Sequence, residues 1–195
     1  EDSIVITSPN NVHAHLEQPF AHTAPVRVSA VVKAPDVADW APSLFLYWTP
    51  GTWLRIGYLS AHDIYHVNGP GVYGVISRDG HPATPYRLTT TSSSDWTYNT
   101  DNGGLDKAPA DSRWHHMALV LTDTTIHFQV GDDGTNWNTV RSIPRPPDMG
   151  DTPAKLIVGK GFYEAENYPA ADLDNDYADA GEITRASIRN LKVEP

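Results

Sequence analysis

The sequence predicts an all-β protein, an antiparallel two-sheet sandwich, and three observations carry that prediction. Apolar and polar residues alternate over short runs, which is the period of a half-buried strand. No segment sustains the 3.6-residue period of an amphipathic helix. Turn formers are dense, with Gly 14 and Pro 16. They divide the chain about every dozen residues into roughly ten to thirteen short strands, the spacing of a sandwich rather than of βαβ units.

The elements follow in order. His13 and His15 share one face of an early strand whose other face is Val12, Ala14 and Leu16. Val26, Val28, Ala30 and Val32 alternate with Arg27, Ser29, Val31 and Lys33. The stretches 44–48 and 53–59 form a hairpin across Thr49-Pro50-Gly51-Thr52; Pro presets φ and Gly accepts positive φ, the composition of a type II turn. Further strands are expected over 72–77 and 85–91. Trp114 to Thr122 is a long strand with Met117, Leu119 and Leu121 on one face, and Trp114 is expected to pack beside Met117. Asp123-Thr124 turns the chain into Ile126, Phe128 and Val130, and Asp132-Asp133-Gly134 reverses it again into 137–142, since Asp-Gly is a strong hairpin signal. Strands over 155–159 and 186–193 close the chain; Ile188 and Leu191 stand three apart, so the alternation slips there, as at a bulge.

Length and charge bound the function. The 195 residues and 21.4 kDa suit one domain spanning 1–195 with a sizeable core. With no cysteine, disulfide frameworks, thiol nucleophiles and Cys-ligated metals are excluded. A net charge of -10 repels nucleic acid and anionic membranes unless one face gathers the basic residues, and no such cluster stands out along the sequence. No apolar stretch reaches the 18 or so residues of a membrane-spanning helix. Glu1 is not an initiator Met, so the chain is expected to be a mature or excised part of a larger multidomain protein.

Two stretches resemble a known family. DSRWHHMALV at 111–120, followed by TIHFQVGDDG at 125–134, resembles the W-H-H-x-A-L-V and Y-V-D-G hairpin of laminin-G-like and pentraxin-like domains. These belong to the concanavalin A-like lectin/glucanase superfamily. The paired strands at 44–59 and the closing strand at 183–193 are similar to elements of the same superfamily. The resemblance implies a jelly-roll sandwich. It also implies a non-catalytic, lectin-like carbohydrate-binding module of an exported bacterial protein, located outside the cell, at its surface or in the periplasm. Its partner would be a glycan or polysaccharide. Two alternatives stand beside it: a structural or adhesion domain of a larger surface protein, and a polysaccharide hydrolase or lyase using acids such as Asp95, Asp101 or Glu164. The E-x-D-x-x-E run of the retaining glucanases is missing. That run places two carboxyls about 5 Å apart, and Glu164-Ala165-Glu166 lacks the acids that should follow.

The candidate site residues are aromatic and acidic. Trp and Tyr (6 and 9) outnumber Phe (4), which favours surfaces with an apolar face and a polar edge, suited to sugar rings. Trp96 and Tyr98 share one face of a very polar segment; Trp137 follows the Asp-Gly turn; Tyr163 and Tyr168 stand beside an acidic run. Some of these will be anchors folded over a sheet, and Trp48 and Trp53 are open to either role. In the acidic run, Asp172, Asp174 and Asp176 alternate, followed by Asp179. Alternation can converge their carboxylates on a calcium ion in a structural role, against the plainer reading of a solvated acidic loop. It is not an EF-hand, because Tyr177 and Ile183 occupy the Gly and Glu positions. His13, His15 and His22 lack a complete metal set, and solvent-facing histidines are the expected reading.

Overall fold

The computed structural model describes residues 3–9, 14–33, 40–49, 52–59, 71–77, 114–131, 134–147, 149–160 and 183–195. They form eleven strands: β1 (Ile4–Pro9), β2 (Ala14–Pro19), β3 (Val26–Lys33), β4 (Trp40–Thr49), β5 (Thr52–Leu59), β6 (Gly71–Ser77), β7 (Trp114–Leu121), β8 (Thr125–Gly131), β9 (Trp137–Pro144), β10 (Lys155–Lys160) and β11 (Ile183–Glu194). Six make one sheet in the order β1-β11-β3-β7-β8-β9, and five make the other, β2-β10-β4-β5-β6. Every pairing is antiparallel. The expected sandwich is present, and no helix occurs among the described residues.

Alternation places the core. From the six-stranded sheet come Val26, Val28, Ala30 and Val32 of β3, Met117, Leu119 and Leu121 of β7, and Ile126, Phe128 and Val130 of β8. They meet Leu44, Leu46, Leu54, Ile56, Leu156 and Val158 of the other sheet. All of these are nearly or fully buried, and each large aliphatic or aromatic side chain contributes about 1.5–3 kcal/mol by leaving water. One end of the sandwich is tied by Arg145, a buried cation. Its guanidinium donates to the carbonyls of Thr122 (3.1 Å) and Met149 (2.9 Å) and pairs with the Asp151 carboxylate.

Several expectations are met in detail. The 44–59 hairpin is β4–β5, with Thr49 opposite Thr52; its turn residues lie outside the described ones. The slip near the C-terminus is a bulge, with the β11–β3 register shifting between Arg189 and Lys192. Asn190 sits there at φ 52°, the left-handed region that Asn tolerates better than other side chains. The strand expected at 85–91 lies outside the described residues, as does His13.

Other elements differ from expectation. β1 was not foreseen: its apolar run is only Ile4-Val5-Ile6, and Ile4 and Val5 are exposed at the sheet edge. Trp114 does not pack beside Met117. Three residues along a strand reverse the side, so Trp114 lies on the outer face, with the Arg189 guanidinium 4.2 Å from its ring centroid. Leu16, expected on an apolar face, is 52% exposed on the edge strand β2.

The bulge yields a stability prediction. Replacing Asn190 by Gly should leave the urea midpoint nearly unchanged, because Gly accepts the same φ at little cost. Replacing it by Val should destabilise the fold by about 1–2 kcal/mol, since β-branching opposes the left-handed conformation.

Candidate functional site

Each sheet has a second face turned away from the core, and the two differ in kind. On the five-stranded sheet, register brings together Phe45 opposite Arg55 and Ile157, and Tyr47 opposite Trp53 and Lys155. Phe45, Trp53, Arg55, Ser43 and Ile157 are buried although they point away from the core cluster. The Arg55 guanidinium lies 5.6 Å from the Phe45 ring centroid, and the Phe45 and Trp53 rings are 6.0 Å apart. Trp53 Nε1 is buried without a hydrogen-bond partner among the described residues. Trp53 is therefore a packing residue. Trp48, half-buried against the core, donates from Nε1 to the Gly150 carbonyl at 2.7 Å. At the rim, Lys155 Nζ sits 5.6 Å from the Tyr47 ring centroid and 2.8 Å from Glu17 Oε1.

The outer face of the six-stranded sheet is mixed, with Ser29, Val31 and Ala118 buried in it and Thr139 and Lys192 exposed. Trp137 opens β9 after a turn in which Gly134 adopts φ 76°. A side chain at that glycine would be strained by its φ and would crowd the His116 ring, 2.9 Å from the position of its Cβ. Gly131 is opposite Trp137 in the ladder, and a Cβ there would come within 3.3 Å of the indole and 2.7 Å of the Asn136 carbonyl. The missing side chain lets the indole settle close to the sheet. The His116 ring meets it edge-on at 6.4 Å, and the Arg27 guanidinium lies 5.4 Å from its centroid. A side-chain ladder positions that guanidinium: Arg27 donates to Gln129 Oε1 and Gln129 donates to Thr139 Oγ1, each at 3.0 Å.

Trp137, half-buried, borders a shallow depression of about 150 Å³, together with His116, Thr135, Asn190, Lys192 and Glu194. The bulge brings Asn190 there, as bulges re-aim side chains. The surface joins one aromatic ring to an amide, an ammonium, an imidazole and a carboxylate, a set able to stack on one face of a ligand and hydrogen-bond its edge. Glu194 is the single carboxylate among the described residues lining it.

Of the stacking and calcium candidates named from the sequence, Trp137 is the one among the described residues, and Trp48 and Trp53, open there to either role, are placed as packing residues. Trp96, Tyr98, Tyr163 and Tyr168 lie outside the described residues, as do Asp172, Asp174, Asp176 and Asp179. Asp95, Asp101 and Glu164 lie outside them too. Among the described residues no group of three or more His, Asp or Glu side chains is placed to hold a metal ion. The sequence reading missed Asn190, Lys192 and His116 as neighbours of Trp137. It also found no basic cluster, whereas strand pairing gathers Arg27, Lys33, Arg185, Arg189 and Lys192 on two adjacent strands.

No family model matches the sequence, and no curated protein matches it. Solved structures do. An endo-acting O-glycanase of the human gut microbiota aligns over 98% of this chain and 78% of its own, at TM-score 0.60 and 11% identity. A glycoside hydrolase family 16 endo-glucanase from Bacteroides ovatus aligns over 98% and 80%, at TM-score 0.57 and 9% identity. A tetrameric galectin from the ball sponge Cinachyrella sp. aligns over 92% and 98%, at TM-score 0.51 and 10% identity. The chain has the concanavalin A-like jelly-roll fold. At these identities the likeness is one of architecture, and the hairpin resemblance at 111–134 points to the same fold.

Tyr47 offers a pH test of the rim on the five-stranded sheet. Burial raises its pKa above 10.0, the Lys155 charge lowers it, and Glu17 raises it. A raised folded pKa means that the associated stability is complete below about pH 10 and is lost as pH rises through the folded value. Lys155→Gln should move the Tyr47 titration further up and Glu17→Gln should move it down, read as the tyrosinate absorbance difference against Tyr47→Phe.

Proposed function

We propose that this domain is a non-catalytic carbohydrate-binding module of an exported bacterial protein, holding glycan at the Trp137 depression. The observation that carries the reading is the arrangement of Trp137. A half-buried indole lies close to the sheet over a glycine and borders an open hollow furnished with Asn190, Lys192, Glu194 and His116. Sugar rings stack on such a surface and their hydroxyls meet amides and charged groups. The neighbours of similar fold, a galectin, an O-glycanase and an endo-glucanase, support glycan as the ligand class. The exported, multidomain setting rests on the family resemblance of the 111–134 hairpin. Trp96, Tyr98, Tyr163 and Tyr168 remain candidate stacking residues on sequence grounds, and Asp172 to Asp179 a candidate structural calcium site.

A glycan array run with calcium and again with EDTA tests the proposal. Selective retention of one polysaccharide class supports it, and loss in EDTA assigns a role to the acidic run. Trp137→Ala should weaken retention at least about tenfold while reducing unfolding free energy by no more than about 1–2 kcal/mol, since the ring is only half-buried. A blank array with no product released points instead to a structural or adhesion domain.

A further inference from the structure

We infer that the glycan bound here is anionic, bearing carboxylate or sulfate groups, and that it runs along the outer faces of β3 and β11 beside Trp137. This inference rests on the glycan-binding reading above and names the ligand class for the same site. The chain as a whole carries -10, yet its six-stranded sheet has the opposite sign. Its strands contain six Lys and Arg residues, Arg27, Lys33, Arg141, Arg185, Arg189 and Lys192, and one carboxylate, Glu194.

Register gathers most of that charge onto one surface. Arg27 and Lys33 occupy alternate, outward positions of β3, opposite Glu194 and Ser187 of β11. Lys192 stands opposite Ser29, and Arg185 lies two residues beyond Ser187 on the same side of its strand. Arg185 and Lys192 are exposed and Lys33 is half-buried, and among the described residues none of the three forms an ion pair. Among the described residues Arg27 is held by Gln129 rather than by a carboxylate. At about 3.3 Å per residue, Arg27 and Lys33 stand roughly 20 Å apart, a track for a polymer segment rather than a single sugar. A one-sign face on a protein of the other sign draws an anionic ligand to that face and away from the rest.

The spacing favours a sparsely charged polymer. Alternate positions on a strand are about 7 Å apart, whereas duplex nucleic acid carries one charge per ~1.7 Å of its axis. A glycan with an acid on its sugar units fits the cation spacing, with the Trp137 indole level with Val31 beside the track and the Trp114 indole opposite Lys33 at its end.

The test is calorimetric titration of the whole chain with a polyuronate, a sulfated polysaccharide, a neutral glucan and a DNA duplex. The expected result is binding to an acidic glycan at least about tenfold tighter than to the neutral one, and weakening markedly between 50 and about 500 mM salt as screening shortens the reach of the charges. Lys192→Gln and Arg185→Gln, both exposed and so expected to fold, should each weaken acidic-glycan binding about threefold or more. Neutral-glucan binding that is salt-insensitive and lost in Trp137→Ala would leave the carbohydrate reading standing and overturn this one. Tighter binding of DNA, or acidic-glycan binding unaffected by both charge variants or abolished by EDTA, would also overturn it. No binding to any glycan would overturn both readings.

Discussion

The alternation of β3 is the constraint on which the rest of the molecule depends. This strand lies inside the six-stranded sheet, paired with β11 on one side and β7 on the other. Its even-numbered residues from Val26 to Val32 enter the core and its odd-numbered ones, Arg27 to Lys33, face outward. A one-residue slip would exchange the two sets, placing two cations among Leu119, Phe128 and Leu44 and four apolar side chains in water. The register of the neighbouring strands follows from that of β3, and so does the position of every outward residue around Trp137. Core formation and the outer surface are thus set by one pattern.

The two outer faces show what residue type does once register is fixed. Where the outward positions hold Phe45, Trp53 and Ile157, the face is buried, and even Arg55 is enclosed beside an aromatic ring. Where they hold Arg27, Gln129, Thr139 and Lys192, side chains bond laterally or stand in solvent, over a floor of buried Ser29, Val31 and Ala118. Aromatic residues take part in both. Trp53 is lost inside one face, while Trp114 and Trp137 lie on the other, each with an arginine guanidinium near its ring. Counting Trp and Tyr therefore cannot separate packing residues from ligand platforms; the parity of the strand and the polarity of its neighbours do.

The strands were legible because alternation is a local signal, and even the bulge could be read from the three-residue step between Ile188 and Leu191. β1 escaped because three apolar residues at an edge, two of them exposed, resemble any short apolar run. The site was legible only in part. Trp137 could be named from the Asp-Gly turn before it, but Asn190 and Lys192 come from the far end of the chain and meet it through β11–β3 pairing. The basic face was hidden for the same reason: its residues belong to strands encoded near opposite ends of the sequence, and only the sheet order makes them neighbours.

The sheet order also sets a schedule. Among the described residues β1 pairs only with β11, and β2 only with β10, so these two strands of the domain meet those partners only after most of it has been made. The β3–β7–β8–β9 and β4–β5–β6 parts can assemble earlier, whereas both N-terminal edges must wait as unpaired chain. Long-range closure of this kind slows folding, because the entropy of a loop nearly as long as the domain must be overcome before any contact rewards it. During synthesis, Ile4, Val5, Ile6 and Leu16 are an exposed apolar segment seeking a strand to join, and the arrival of β10 and β11 ends that interval.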